Sequence, residues 1–233
     1  MRISILCSSP SHPVWPRLAG WIARNSQDHQ IELVERRAEV SSGDILFLIS
    51  CNEIIRRDVR DRFGKVLVIH ASDVPHGRGF APLNWQILEG RNRVTVTLME
   101  AADKVDSGDV WAKHDMYFEG HETFAELFEK LFDTEIALMD FAVANYGSIE
   151  PRPQPAEGGS YYRRRTPDDG LVSVEHRLMD IFDLLRVSDP DRYPVQFQFR
   201  GHRYSLTMEK LGPVEKTEPE TKQPAKEPTT VCV

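Results

Sequence analysis

The sequence predicts an α/β fold: a Rossmann-like, mostly parallel sheet with helices on both faces, then a small C-terminal α+β module and a disordered tail. Three observations carry this. Short apolar runs rich in β-branched residues recur at 3–6, 31–34, 45–49 and 66–69. Amphipathic segments separate them, the alternation of a parallel sheet covered by crossover helices. After residue 150 the composition shifts, first to Pro151, Pro153 and Pro155 and later to a stretch of Pro, Glu, Lys and Thr.

Taken in order, the run at 3–6 is a short buried strand closed by Cys7-Ser8-Ser9-Pro10-Ser11. Residues 15–24 place Trp15, Leu18, Ala19 and Ile22 on one helical face. Strands follow at 31–34 and 45–49. Residues 52–63 read as a helix with Ile54, Ile55, Val59 and Phe63 inward, Asn52 suits its N-cap, and Gly64 closes it. The strand at 66–69 ends at His70, a polar loop spans 71–79, and 81–88 is helical. A strand at 94–99 runs into the acidic loop 103–109. The more polar, alternating strand at 109–117 suits an edge or antiparallel position. Residues 122–145 form the longest helix, with a broad apolar face that includes Phe124, Leu127, Phe128, Leu131 and Phe132. The proline connector divides a domain at 1–150 from a module at 151–211, with a helix at 174–185 and a hairpin pairing 195–199 with 204–208. The tail at 212–233 holds too little apolar surface to offset its ordering entropy.

Composition excludes several classes of function. The 233 residues are 40% hydrophobic and 28% charged, enough for one sizeable core. A formal net charge of −7 argues against a nucleic-acid surface as the main partner. The three cysteines are scattered without a C-x-x-C pair, so neither a disulfide framework nor a zinc site is indicated. No run is long enough to span a bilayer, and a cytoplasmic location is expected. Asp103, Asp106 and Asp109 are spaced by three, but no second oxygen-rich loop accompanies them, so no metal is expected.

The chemistry concentrates between 66 and 109. A histidine at one strand end and a carboxylate beyond the next suit proton transfer beside a ligand crevice. His70-Ala71-Ser72, Pro75, Arg78-Gly79, Pro82 and Asp106-Ser107-Gly108-Asp109 fall in the order and spacing of a known motif. On these residues the chain resembles the 10-formyltetrahydrofolate-dependent formyltransferases. Tyr161-Tyr162-Arg163-Arg164-Arg165-Thr166-Pro167-Asp168-Asp169-Gly170 and Asp183-Leu184-Leu185-Arg186 resemble elements of members that act on nucleotide-linked amino sugars.

The resemblance implies a role for each candidate. His70 donates to the oxyanion formed when a primary amine attacks the formyl carbon, and Asp106 holds His70 or a water and collects the amine proton. Asn52, Ile54, Asp103 and Val105 line the pterin site, and Gly79 and Phe80 let the loop approach the folate. Ser9, Ser11, His12, Arg78, Tyr161, Tyr162, Arg164 and Arg165 contact the nucleotide sugar, with aromatic faces for the base and guanidinium groups for the diphosphate. The expected activity is N-formylation of a UDP-, GDP- or dTDP-linked 4-amino-4,6-dideoxyhexose for a surface glycan, by a homodimer. Formylation of methionyl-tRNA and non-catalytic binding of folate or nucleotide sugar are the alternatives. The family has an Asn two residues before the histidine, where this chain has Val68. A substitute donor is expected, with Ser72, Asn84 or a loop backbone N–H as candidates.

Overall fold

The computed structural model describes residues 1–214. A six-stranded sheet holds β1 (Arg2–Leu6), β2 (Gln30–Val34), β3 (Gly43–Leu48), β4 (Phe63–His70), β6 (Arg93–Glu100) and β7 (Val110–Tyr117), in the order β2-β1-β3-β4-β6-β7. The first four strands are parallel, β6 is antiparallel to β4, and β7 is antiparallel to β6 at the edge. The order reverses direction at β1, so the crevice of an open α/β sheet opens beyond the C-terminal ends of β1, β3 and β4.

The two faces are covered unequally. Helices α1 (Trp15–Asn25), α3 (Pro82–Leu88) and α4 (Phe124–Ala144) pack one face, where Trp21, Leu83, Leu127 and Met139 meet Ile5, Phe47 and Leu67. The opposite face carries one helical turn, α2 (Arg57–Arg60), with Val59 and Ile55 over Leu46, Leu48 and Val66. At the start of α4, Thr123 and Glu126 form a reciprocal capping box that satisfies otherwise orphaned donors.

The helix expected over 52–63 is confined to Arg57–Arg60. Its N-cap residue is Arg56 rather than Asn52, whose N–H is instead held by Ser8 Oγ at 2.9 Å. Consecutive β-branched Ile54 and Ile55 favour the extended backbone that precedes α2. Ile55 turns inward while Ile54 stays 62% exposed. Gly64 closes no helix; it lies inside β4, where a Cβ would collide with the Tyr146 hydroxyl.

After α4 the chain returns to the sheet's own loops. β5 (Arg78–Gly79) and β8 (Tyr161–Tyr162) form a two-stranded parallel pair. A 3₁₀ turn at Pro167–Gly170 leads to β9 (Leu171–Val172). α5 (Leu178–Val187) begins and ends later than the 174–185 expected, and its Val187 joins the main core. β10 (Val195–Phe199) and β11 (His202–Leu206) pair around a tight Arg200-Gly201 turn, rather than using 204–208. Both turn residues have positive φ, as a two-residue hairpin turn requires. Of the tail expected at 212–233, residues 215–233 lie outside the described residues.

Candidate active site

His70 ends β4 on the same sheet face as Val66 and Val68, with its side chain 8% exposed. Its Nε2 makes a 2.9 Å hydrogen bond to Gly77 O and lies 3.8 Å from Asp106 Oδ2. Asp106 does not reach His70 by ending an adjacent parallel strand. Because β6 runs antiparallel, its Glu100 end sits beside Leu67, and loop 101–109 doubles back toward the histidine. Asp106 adopts a left-handed φ of 53°, and its Oδ2 accepts the Gly79 N–H at 2.8 Å. One carboxylate oxygen therefore joins the histidine, the catalytic-type loop and the acidic loop.

Several contacts fix this geometry from outside the loops. Arg78 Nε donates to Asp106 O at 2.9 Å and its Nη2 to Gln154 Oε1 at 2.6 Å. Gln154 Nε2 donates in turn to Asp106 O and Gly108 O, at 3.0 and 2.8 Å. Gly77 N–H donates to Ser160 Oγ at 2.8 Å. Gln154 and Ser160 were not singled out from sequence, since they sit in a stretch that reads as a connector. A long polar side chain placed between two prolines was the available signal.

The other candidates divide into two groups. Tyr161 and Tyr162 are brought to the crevice by the β5–β8 pairing, which leaves no room for a Cβ at Gly79. Tyr162 stacks on Trp85 at 6.2 Å, and burial with the Glu89 contact pushes its hydroxyl up to about 12. Arg164 lies over Phe80 at 5.4 Å, and Arg165 Nε is buried without a partner among the described residues. Arg163 is committed to Asp169 and to the Trp85 ring. Ile54, Val105 and Phe80 are exposed on the segments that follow β3, β6 and β5, while Asp103 pairs with Arg57 and Arg60. Ser9 and Ser11 bond each other at 2.9 Å. His12 packs edge-on against Phe132, and burial with nearby Arg192 lowers its pKa to about 4. Arg78 serves the Asp106 loop, as described.

Val68 is half-buried and, like Cys51 and Ala101, packs against the apolar cluster on the α2 face. Of the proposed substitute donors, Asn84 is committed to Val187 O at 2.9 Å. The N–H groups of His76, Gly77, Arg78, Gly79 and Phe80 are all bonded elsewhere. Ser72 Oγ is buried and unpartnered among the described residues.

Residues 8–143 match the family model for formyl transferase. The chain belongs to the formyl transferase family. It is 32% identical over 150 residues to a methionyl-tRNA formyltransferase of Rickettsia bellii, covering 64% of this chain and 49% of the relative. The chain thus spans about half the length of the curated relatives it matches. A solved methionyl-tRNA formyltransferase from Clostridium thermocellum superposes with a TM-score of 0.78 at 19% identity, covering 91% of this chain and 94% of that one. The formyltransferase PseJ from Anoxybacillus kamchatkensis, solved with UDP-4,6-dideoxy-4-formamido-L-AltNAc and tetrahydrofolate, superposes with a TM-score of 0.56 at 21% identity. That match covers 70% of this chain and 86% of PseJ. At these identities the two structures show the shared fold.

Formyl transferases of this family use 10-formyltetrahydrofolate. The crevice here suits such a group. Next to the buried His70–Asp106 pair, Val105 of the same loop is 49% exposed and leaves apolar surface that a flat ring could cover.

Proposed function

We propose that the protein is an N-formyltransferase that moves a formyl group from 10-formyltetrahydrofolate to the amine of a nucleotide-linked 4-amino-4,6-dideoxyhexose. The observation that carries this reading is the β5–β8 pair. It joins the aromatic and arginine-rich segment to the loop that holds His70 and Asp106. The ligands in the PseJ structure support the same substrate class. The donor supplies an activated formyl group. Asn52, Ile54, Asp103 and Val105 wall the pterin, and Gly79 and Phe80 border the reacting end. Tyr161, Tyr162, Arg164 and Arg165, with Ser9, Ser11, His12 and Arg78 at the rim, face the nucleotide sugar.

In this reading His70 donates from its ring to the formyl oxygen as negative charge develops there, breaking its bond to Gly77 O in the process. Asp106 takes the proton released by the attacking amine and returns it to N10 of the folate as the C–N10 bond breaks, leaving the formamide and tetrahydrofolate. Its second oxygen is available while Oδ2 remains on Gly79 N–H. A panel of UDP-, GDP- and dTDP-linked amino sugars, with initiator methionyl-tRNA as comparison, tests the substrate. Turnover of one nucleotide sugar and none of the tRNA is expected, since a net charge of −7 opposes a polyanion. Turnover of the tRNA alone would overturn the assignment.

Ser72 is the remaining candidate for the donor that replaces the family Asn. Ser72→Ala is expected to lower kcat by about a hundredfold, the loss typical of one oxyanion donor. Val68→Asn should leave kcat unchanged or lower it, because the added amide is redundant and enters an apolar setting. A large rise in kcat for Val68→Asn in steady-state assays would show that the position stands unfilled.

We also propose a homodimer through the C-terminal module. Leu178 and Met179 of α5 are 70% and 74% exposed, and Phe182, Phe199 and Tyr204 lie uncovered on the same module. Sedimentation equilibrium should give twice the chain mass at micromolar concentration, and a monomer there would contradict the proposal. Among the described residues no helix is long and apolar enough to cross a membrane.

A further inference from the structure

Residues 152–160 run over the surface after α4, and every one of them except Gln154 is exposed. Gln154 turns inward, and its amide spends both ends on the loops that carry the candidate site. Oε1 accepts from Arg78 Nη2 at 2.6 Å, while Nε2 donates to Asp106 O at 3.0 Å and to Gly108 O at 2.8 Å. The segment that delivers it is anchored beside β7. Arg152 and Val110 exchange two backbone hydrogen bonds there, at 2.9 and 2.7 Å.

The loop at 106–108 needs such support. Asp106 has a φ of 53°, in the left-handed region, and a non-glycine residue stays there only where its surroundings over-determine it. Gly108 lies so close to β6 that a Cβ would fall 1.9 Å from Glu100 O. Among the described residues the side chains that donate to Asp106 O are Arg78, through Nε at 2.9 Å, and Gln154. Arg78 is itself held by Gln154 and faces no carboxylate within ion-pair distance among the described residues. The backbone that aims the Asp106 carboxylate at Gly79 N–H and His70 is therefore braced from one amide, 48 residues along the chain from Asp106.

We propose that Gln154 is the positioning residue for Asp106. It acts through the carbonyls at 106 and 108 and through Arg78, and it takes no proton itself. The inference rests on the reading of Asp106 as the group that accepts the amine proton. The role requires a donor and an acceptor on one planar end. Glutamate would still accept from Arg78, but when ionised it donates nothing and sets a negative charge against two carbonyl oxygens. Methionine keeps the length and removes all three hydrogen bonds.

The test compares Gln154→Met, Gln154→Glu, Asp106→Asn and the Gln154→Met/Asp106→Asn double variant. Single-turnover formylation of UDP-4-amino-4,6-dideoxyhexose by 10-formyltetrahydrofolate is followed in each. Gln154→Met should lower the rate by at least about thirtyfold with tetrahydrofolate affinity within about threefold of wild type, and Gln154→Glu should lose as much despite its contact to Arg78. In the Asp106→Asn background the same Gln154→Met change should cost less than about threefold, because the carboxylate it positions is already gone. Equal losses in both backgrounds would overturn the positioning role and leave the assignment of Asp106 intact. Near-normal turnover of Asp106→Asn overturns that assignment and this role with it.

A second readout needs no substrate. The Gly79 N–H is held by Asp106 Oδ2, so its hydrogen exchange reports whether the carboxylate stays in place. Exchange at Gly79 should quicken by about tenfold in both Gln154 variants, as expected for a local opening. Wild-type exchange there in Gln154→Glu would overturn the proposal even if Gln154→Met does not fold.

Discussion

Replacing His70 with Asn is expected to lower kcat by at least about a hundredfold while leaving tetrahydrofolate affinity within about threefold. The residue is buried, and among the described residues the polar neighbours of its Nε2 are Gly77 O and Asp106. An asparagine retains one amide donor but neither the reach nor the proton of the ring. Asp106→Asn should have an effect of similar size for a different reason. The asparagine side-chain oxygen still accepts the Gly79 N–H, so the left-handed loop at 106 is kept, but the amide accepts no proton from the amine. Separate readouts of folate affinity and single-turnover rate distinguish lost chemistry from lost binding. Near-normal turnover in either variant would move the chemistry elsewhere in the crevice.

Glu135 carries the largest expected effect on stability. It lies buried on the inward side of α4, 6% exposed, and its Oε2 has no partner among the described residues. Burial pushes its carboxyl from 4.5 up to about 8. The folded protein therefore keeps the proton where the unfolded chain releases it. The stability this contributes is fully present below pH 4.5 and is lost progressively as pH rises to about 8. The maximum loss is about 4–5 kcal/mol from the linkage relation. Glu135→Gln removes the titration. Its melting temperature should match wild type within a few degrees near pH 5 and exceed it at pH 8.5, by roughly 2–4 °C for each kcal/mol regained. Parallel pH profiles for the two proteins would show that Glu135 is not the titrating group.

Much of this arrangement was legible in the residues themselves. The apolar runs locate β1 to β4 because a parallel sheet buried on both faces demands them. The edge position of β7 follows from its alternating pattern, and α4 from its long apolar face and the Thr123–Glu126 spacing. His70 and Asp106 stand out through local motif spacing, and the structure brings them to 3.8 Å. What was not legible depends on contacts distant in the chain. Ile54 and Ile55 satisfy a helical pattern, yet the backbone there is extended and docked through Ser8. Gly64 resembles a helix stop, and only the approach of Tyr146 explains it. Gln154 stitches Arg78, Asp106 and Gly108 together from inside a proline-rich stretch, a role that no local pattern encodes. The return of loop 101–109 likewise depends on β6 running antiparallel, which strand composition does not reveal.

The central claim is that the His70–Asp106 crevice transfers a formyl group to a sugar amine. The most direct measurement is single-turnover transfer with enzyme in excess, using 10-formyltetrahydrofolate and UDP-4-amino-4,6-dideoxyhexose and following the formamido sugar by mass. The account predicts an added formyl group on the sugar, one tetrahydrofolate released per product, and loss of both in Asp106→Asn. Tight folate binding with no formylated product from any nucleotide-linked amino sugar would contradict it.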